Sequence, residues 1–547
     1  MSLSVTKKTG TYADTLQAIG LADLLQALSG EVSEIADEGF AFKISAKVWE
    51  PDAWHAPQPG YPYIWDSKKE PRPPSGTFLD YRQEVGKRDL MRKALKAATK
   101  IRSRIKTKLQ EQGLETQDAP RPELELATIL ASMRKGWEGD RQLYRWITDD
   151  PRRALCWTKQ KLALEPVSMN DPKWSNTQFL NPITGKGVHS TKTLARAPSA
   201  INAALSDPFE DWLKLRAAFM AMLAYREGDD FKLFVLEPAL ATPTMLVEIA
   251  TGLRKLKLWG GVRLDIHAVL QCTAELVRHS DVMASGPARL KGRSPRDLIS
   301  GLRQAYFKSL GTAAALMNEA LLPLPDWFRI RNRDDAGKLL GIIEEFIGQG
   351  EKPGCLASLQ ESHSDECATL QEFRDWLATG NLHDLLAFHS AFAVHLMQRR
   401  SRREWTRPFS TDNLTFLLSQ ERYSMNEIVT NPGFLSIAQA IRNATIYSVG
   451  EGAPVEISTR FGLAQQWKQK LRSGKAEFLG AVADFVQQYN WEVINRFGRK
   501  YHVVGTRDLD ELSRLLDESQ QPATVGLLLL AYGYAQAPKT GTKGGSA

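Results

Sequence analysis

KAEFLGAVADFVQQYNWEV, residues 475–493, decides one half of the fold. Phe478, Val482, Phe485 and Tyr489 recur at spacings of 4, 3 and 4, which is the period of one helix face. The same period continues on either side. Leu414, Leu417 and Leu418 mark one helix, and Phe434, Ile437, Ile441 and Ala444 mark another, entered through Asn431-Pro432-Gly433. A stretch near 460–473 stops at Gly474, and a further helix begins at Asp508, with Glu511 in the capping-box position. Amphipathic helices joined by short connections predict an antiparallel all-α bundle over about 410–535. The polar, Gly-rich end, 536–547, reads as a disordered tail.

Toward the N-terminus the period changes. In GFAFKISAKVW (39–49), Phe40, Phe42, Ile44, Ala46 and Val48 alternate with other residues, as in a strand. A helix precedes it, with Leu16, Ile19, Leu24, Leu25 and Leu28 on one face and Gly30 as the stop. FKLFVLEP (231–238) reads as a second strand and EFRDWLAT (372–379) as a helix. Residues 51–76 hold seven prolines, a density no helix survives. Trp54, Tyr61, Tyr63 and Trp65 sit among them, so the stretch predicts an ordered, packed loop rather than a linker. No repeat of fixed period appears. The expected fold is α+β: a mixed α/β domain over 1–400, then the helical bundle.

Composition sets the outer bounds. The 547 residues are 43% apolar and 24% charged, which is globular stock and allows three to five domains or two large ones. No apolar run approaches the roughly 20 residues of a membrane span. The opening MSLSVTKKTGTYADT lacks the apolar core of a secretion signal. The four cysteines form no CxxC pair, which argues against a disulfide scaffold or zinc ribbon. The expectation is a cytoplasmic protein without metal or other cofactor.

Catalytic signatures are incomplete. In LNPITGKGVHS (180–190), Leu180 stands where a phosphate-binding loop needs its first glycine, and Gly187 replaces the magnesium-binding hydroxyl. Gly228-Asp229-Asp230 could present two acids to a metal ion, but glycine and aspartate also make ordinary hairpin turns. His383-Asp384 is an HD dipeptide followed by His389 and His395, which are six apart and so on opposite sides of a helix. A metal-dependent nuclease or nucleotide cyclase using Asp229 and Asp230, or His383 and Asp384, is the alternative reading.

Binding signatures are stronger. Between Lys87 and Lys108 ten cations face one acid, Asp89. Arg92, Lys96, Lys100, Arg104 and Lys108 follow one another at i, i+4, so on a helix they form one slowly winding ridge. Like charges at that spacing repel by a few tenths of a kcal/mol per pair, and a polyanion along the ridge reverses the sign. A second cluster, 397–407, gathers Arg399, Arg400, Arg402, Arg403 and Arg407 around Trp405. A third, 173–199, combines Asn176, Asn181, Thr184, Lys186, Ser190, Lys192 and Arg196 with Gly185 and Gly187, which let the backbone approach a ligand. Amide, hydroxyl and lysine donors of this kind suit phosphates and groove edges. The plain reading of each charge run is a solvated face. Three in one chain, whose net charge is +8, favour nucleic acid.

Three stretches give the chain a family likeness: TYADTLQAIGLADLL (11–25) followed by a strand; FLNPITGKG (179–187) with REGDDFKLFVLEP (226–238); and NPGFLSIAQAIRNATIYSV (431–449) with KLRSGKAEFLGAVADFVQQYNWEV (470–493). On these it resembles the large subunit of type I CRISPR surveillance complexes (Cascade), of the I-B or I-A branch. The resemblance implies a subunit at the crRNA 5′ end that has no nuclease activity. It would read a protospacer-adjacent motif in double-stranded DNA, wedge the strands apart and help to recruit a nuclease-helicase or transposition proteins. Its partners would be crRNA, target DNA and the backbone, crRNA-cap and small subunits, with no membrane. Its C-terminal bundle is similar to the separate small subunit that holds the displaced strand. The 51–76 and 173–199 loops become the candidates for motif reading and wedging. Some relatives make their small subunit from an internal start, and Met425 stands just before the main bundle helices here.

Overall fold

The computed structural model describes residues 2–47, 50–111, 138–165, 169–172, 207–227, 230–254, 261–309, 314–350, 352–449, 453–518 and 522–537. The fold is α+β, with a helical C-terminal region. It divides into two compact units. One comprises Met1–Ala98, Arg121–Gly260 and Leu264–Ala336; the other comprises Thr99–Pro120, Gly261–Arg263 and Gly337–Ala547.

The first unit opens with β1 (Ser2–Thr6), α1 (Tyr12–Ser29), β2 (Ser33–Asp37) and β3 (Ala41–Ala46). Thr11 caps α1 by accepting the Ala13 amide, and Gly30 ends it at φ +71°, as its sequence position predicts. Beyond the expected Leu16–Leu28 face, Tyr12, Ala18, Leu21 and Ala22 are buried too, so α1 is covered almost all round. Strand β3 begins one residue later than the alternation suggests: Phe40 is 76% exposed in the turn after Gly39. Val48 and Trp49 lie outside the described residues.

The chain continues through β4 (Tyr63–Trp65), β5 (Phe78–Asp80), α2 (Tyr81–Glu111), α3 (Glu138–Asp149), α4 (Pro151–Lys161) and α5 (Pro208–Ala221). Gly20 of α1 leaves no room for a Cβ against the Leu213 carbonyl, so α1 and α5 meet backbone to backbone. Next come β6 (Met222–Glu227), β7 (Asp230–Pro238), β8 (Leu240–Ala241), α6 (Pro243–Leu253), α7 (Val262–Arg278), β9 (Ile299–Ser309) and β10 (Ala314–Pro323). Two four-stranded antiparallel sheets result, ordered β1-β3-β2-β8 and β10-β9-β7-β6. Leu233, Phe234, Val235 and Leu236 are all buried, which makes β7 a strand covered on both faces.

The second unit carries α8 (Arg333–Ile347), whose first residues belong to the other unit, then α9 (Ser364–Thr379), α10 (Leu382–Ser401), α11 (Thr411–Leu418) and α12 (Pro432–Ala444). It ends with α13 (Leu463–Ser473), α14 (Lys475–Phe497), α15 (Thr506–Glu518) and α16 (Pro522–Gly533). Phe478, Val482, Phe485 and Tyr489 of α14 are buried, two of them against the ring of Trp467. The border expected at 400–410 falls inside this unit. Helix α10 is the reason: Leu385, Leu386, Phe388, Phe392, Leu396 and Met397 are buried on several sides, and α9 and α16 both pack on it. The helix expected from Asp508 starts at Thr506. Glu511 accepts the Gly433 amide at 2.9 Å and so caps α12 rather than its own helix. Among the described residues no helix is long and apolar enough to cross a membrane. Residues 538–547 lie outside the description.

Candidate nucleic-acid interface

Helix α2 carries the first basic cluster. Its 31 residues span about 46 Å at 1.5 Å per residue. Asp80 starts it by accepting the amides of Arg82 and Gln83 at 2.8 and 3.1 Å. Arg82 forks onto the buried Asp66 carboxylate at 2.7 and 3.0 Å. Burial works against that carboxylate, but the hydrogen bonds from Arg82 and the Lys68 amide outweigh it and hold its pKa below the usual range. Glu84 pairs with Lys87 at 3.2 Å. Further along, Lys93, Lys100, Arg104 and Lys108 are exposed. Arg92, Lys96, Lys100, Arg104 and Lys108 thus follow one another at successive turns of one continuous helix. Leu90 and Ile101 are exposed on the same rod, at 67% and 55%.

The Pro-rich loop feeds into this helix, and its aromatic side chains turn inward. Trp54, Tyr61 and Tyr63 are buried. The Tyr61 hydroxyl donates to the Asp140 carbonyl at 2.9 Å, and Trp212 Nε1 donates to the Pro59 carbonyl at 2.8 Å. Arg145 donates to the Tyr63 hydroxyl at 2.6 Å and to Glu70 at 2.9 Å, while Trp65 Nε1 donates to the Glu70 carbonyl at 3.0 Å. The rings of Trp54, Tyr61 and Tyr63 pack into the core of this unit, and Trp65 is half-buried. The loop instead exposes Lys68, Lys69 and Arg72, held between β4 and β5, which pair in parallel. The sequence reading passed over these cations. Their signal was three positive charges at 68–72, next to Pro71, Pro73 and Pro74 and beside the anchors Asp66 and Glu70.

The arginine cluster at the end of α10 splits in two. Arg399 is buried and pairs with Glu404 at 3.0 Å, and it also donates to the Trp405 carbonyl at 3.3 Å. Arg400 donates to the Ile446 carbonyl. Both hold the fold together. Arg402, Arg403 and Arg407 are exposed, and Arg403 has φ +55°. The third cluster, with Asn176, Asn181, Thr184, Gly185, Lys186, Gly187, Ser190 and Lys192, lies outside the described residues.

The catalytic alternatives separate in the same way. Strands β6 and β7 form an antiparallel hairpin with Glu227 opposite Asp230; Gly228 and Asp229 lie outside the described residues. At the start of α10 the His383 amide donates to Asn381 at 2.8 Å, and Asp384 accepts the Thr379 hydroxyl at 3.3 Å, so the HD dipeptide is built into the helix start. His389 is buried among the rings of Phe388 and Phe409, and burial lowers its pKa to about 3. His395 lies with Nε2 3.2 Å from the Ser358 hydroxyl and Nδ1 3.8 Å from Glu366. That resembles a hydrolytic relay, but Ser358 is 2% exposed and donates to the Cys355 carbonyl at 3.3 Å. Among the described residues no group of three or more His, Cys, Asp or Glu side chains is placed to hold a metal ion.

No protein-family model matches the chain, and no curated protein matches it.

Proposed function

We propose that this chain is the non-catalytic large subunit of a crRNA-guided DNA-targeting complex. In that role it reads a protospacer-adjacent motif in duplex DNA, helps to open the target and stabilises the R-loop. The observation that carries the reading is α2. It is a 31-residue helix with Lys93, Lys100, Arg104 and Lys108 in solvent, in a stretch whose ten cations face one acid. Such a rod repels itself, and a phosphate backbone laid along it removes the repulsion. The exposed Lys68, Lys69 and Arg72 add a second basic element just before the helix. In guided recognition base pairing reads the sequence, so the protein needs basic surfaces and a motif reader rather than a catalytic constellation.

Partners on this reading are crRNA, target double-stranded DNA, the backbone, crRNA-cap and small subunits, and a recruited nuclease-helicase or transposition proteins, all in the cytoplasm. Alanine at Asn181 and Lys186 is then expected to abolish target binding while the complex still assembles. The test is co-purification with a single short RNA and backbone subunits, followed by target binding. Magnesium or manganese with DNA or nucleotide separates this reading from the nuclease or cyclase, because only the latter yields product. Translation from Met425 would give a small subunit of 123 residues (547 − 425 + 1), visible as a second mass when the gene is expressed alone.

A further inference from the structure

One acid of the first unit sits where the helix pattern calls for an apolar residue. Asp140, Leu143, Tyr144 and Ile147 stand at i, i+3, i+4 and i+7 and so share the inner face of α3. Leu143 and Ile147 are buried, and Asp140 between them and solvent is only 1% exposed. Neither carboxyl oxygen of Asp140 has a hydrogen-bond partner among the described residues. A carboxylate sealed from water with no donor takes up a proton rather than stay charged. The charged and titratable groups around it are Arg141 and Tyr144 from α3, Tyr61 from the Pro-rich loop, and Asp211 and Arg216 from α5. Burial raises the Asp140 pKa to about 8, against the pull of Arg141 and with the push of the buried Asp211.

Helix α3 is also what fastens the Pro-rich loop. The Tyr61 ring lies 5.8 Å from Tyr144 of α3 and 6.0 Å from Phe219 of α5. Buried Arg141 has Nε 3.4 Å from Glu70 and donates to the Ile64 carbonyl at 3.3 Å. Arg145 takes the same Glu70 and the Tyr63 hydroxyl. Glu70 closes a turn begun at Asp66, whose carbonyl accepts the amides of Lys69 and Glu70 at 2.8 and 2.9 Å. Lys68 and Lys69 stand on that turn in solvent. An ionised Asp140 would compete with Glu70 for Arg141 and would repel Asp211. Both effects pull α3 away from the loop.

We propose that Asp140 is a proton lock: its neutral carboxyl seats α3 on the Pro-rich loop, and loss of that proton frees the loop that carries Lys68, Lys69 and Arg72. The closed form keeps a proton that an exposed aspartate, with its pKa of about 3.9, gives up. Closure therefore weakens about ten-fold per pH unit from about pH 4 to about pH 8, and no further above that. The lock needs no nucleic acid, so it stands or falls apart from the α2 reading.

The test is native-state trypsin cleavage of the full chain at pH 6, 7, 8 and 9, with the cut after Lys69 identified by fragment mass. Asp140→Asn is neutral at every pH and keeps the shape of the side chain, so its rates carry only the protease's own pH dependence. Relative to that variant, wild type should be cut roughly 50-fold faster at pH 8 than at pH 6. Asp211→Asn removes the neighbouring charge and should bring the wild-type rise to its plateau at a lower pH. A ratio of wild-type to Asp140→Asn cleavage that stays constant across the series overturns the lock. Should Asp140→Asn not fold, coincident profiles for wild type and Asp211→Asn overturn it equally.

Discussion

Residues 87–108 and 397–407 carry cations at the same density, ten in 22 and five in 11, yet they settle differently. In the first stretch the described cations beyond Lys87 lie in solvent along α2. In the second, Glu404 and the carbonyls of Trp405 and Ile446 draw Arg399 and Arg400 into the fold. What separates them is the supply of acceptors. Asp89 is the one acid between Lys87 and Lys108, whereas the short turn after α10 brings a carboxylate and a carbonyl back onto its own last helical turn. Groups inside the chain meet Arg399 and Arg400, whereas Lys93, Lys100, Arg104 and Lys108 lie in solvent.

The sharpest way to break that contrast is charge reversal on α2. Lys100→Glu with Arg104→Glu and Lys108→Glu should cut duplex affinity at least about 100-fold at low salt and reduce the log–log salt slope by about 2.7. The melting temperature should stay where it was, since all three are exposed. Filter binding across a salt series and a thermal melt check both halves.

Arg399→Ala should show the reverse pattern. Stranding Glu404, itself about 9% exposed, should destabilise the chain by about 3 kcal/mol in chemical denaturation. Affinity for DNA should not move.

Acid tests how deeply α10 is embedded. His389 has its pKa lowered to about 3 by burial, so below about pH 6.5 the unfolded chain takes up a proton that the folded chain refuses. Stability therefore falls as pH drops through that window. At pH 5 the loss from this residue should be about 2 kcal/mol, and His389→Phe should remove it. Identical acid profiles for the two proteins would mean that α10 is not sealed.

The smallest effect belongs to Arg403, which holds a left-handed backbone at φ +55°. Arg403→Gly should raise stability by up to about 1 kcal/mol, read as a small upward shift in melting temperature. The same variant measures what an exposed arginine of this cluster adds to nucleic-acid affinity.

Most of the helices after residue 410 were legible in the sequence because their signal is local: four buried residues of α14 stand at spacings that any window reveals. The start of the helical unit was not. Residue 337 precedes α10, and α10 belongs with α16 through contacts more than 120 residues apart in sequence. Glu511 shows the same limit, since its position suggests a cap for its own helix and its carboxylate serves Gly433, 78 residues away. Among the site residues, the α2 ridge was readable because helical spacing alone defines it. The roles of Arg399 and Arg400 depend on folded-back acceptors, and the inward aim of Tyr61 and Tyr63 depends on Asp140 and Arg145, supplied by a helix far along the chain.

Helix α16 has one more consequence. Val525, Leu528, Leu529, Leu530 and Tyr532 are buried, and the helix packs on both α12 and α10. A polypeptide initiated at Met425 would inherit the first neighbour and forfeit the second. Its bare flank would be greasy enough to demand a replacement, so such a product should be found paired, with its twin or with the parent subunit, and not as a lone monomer.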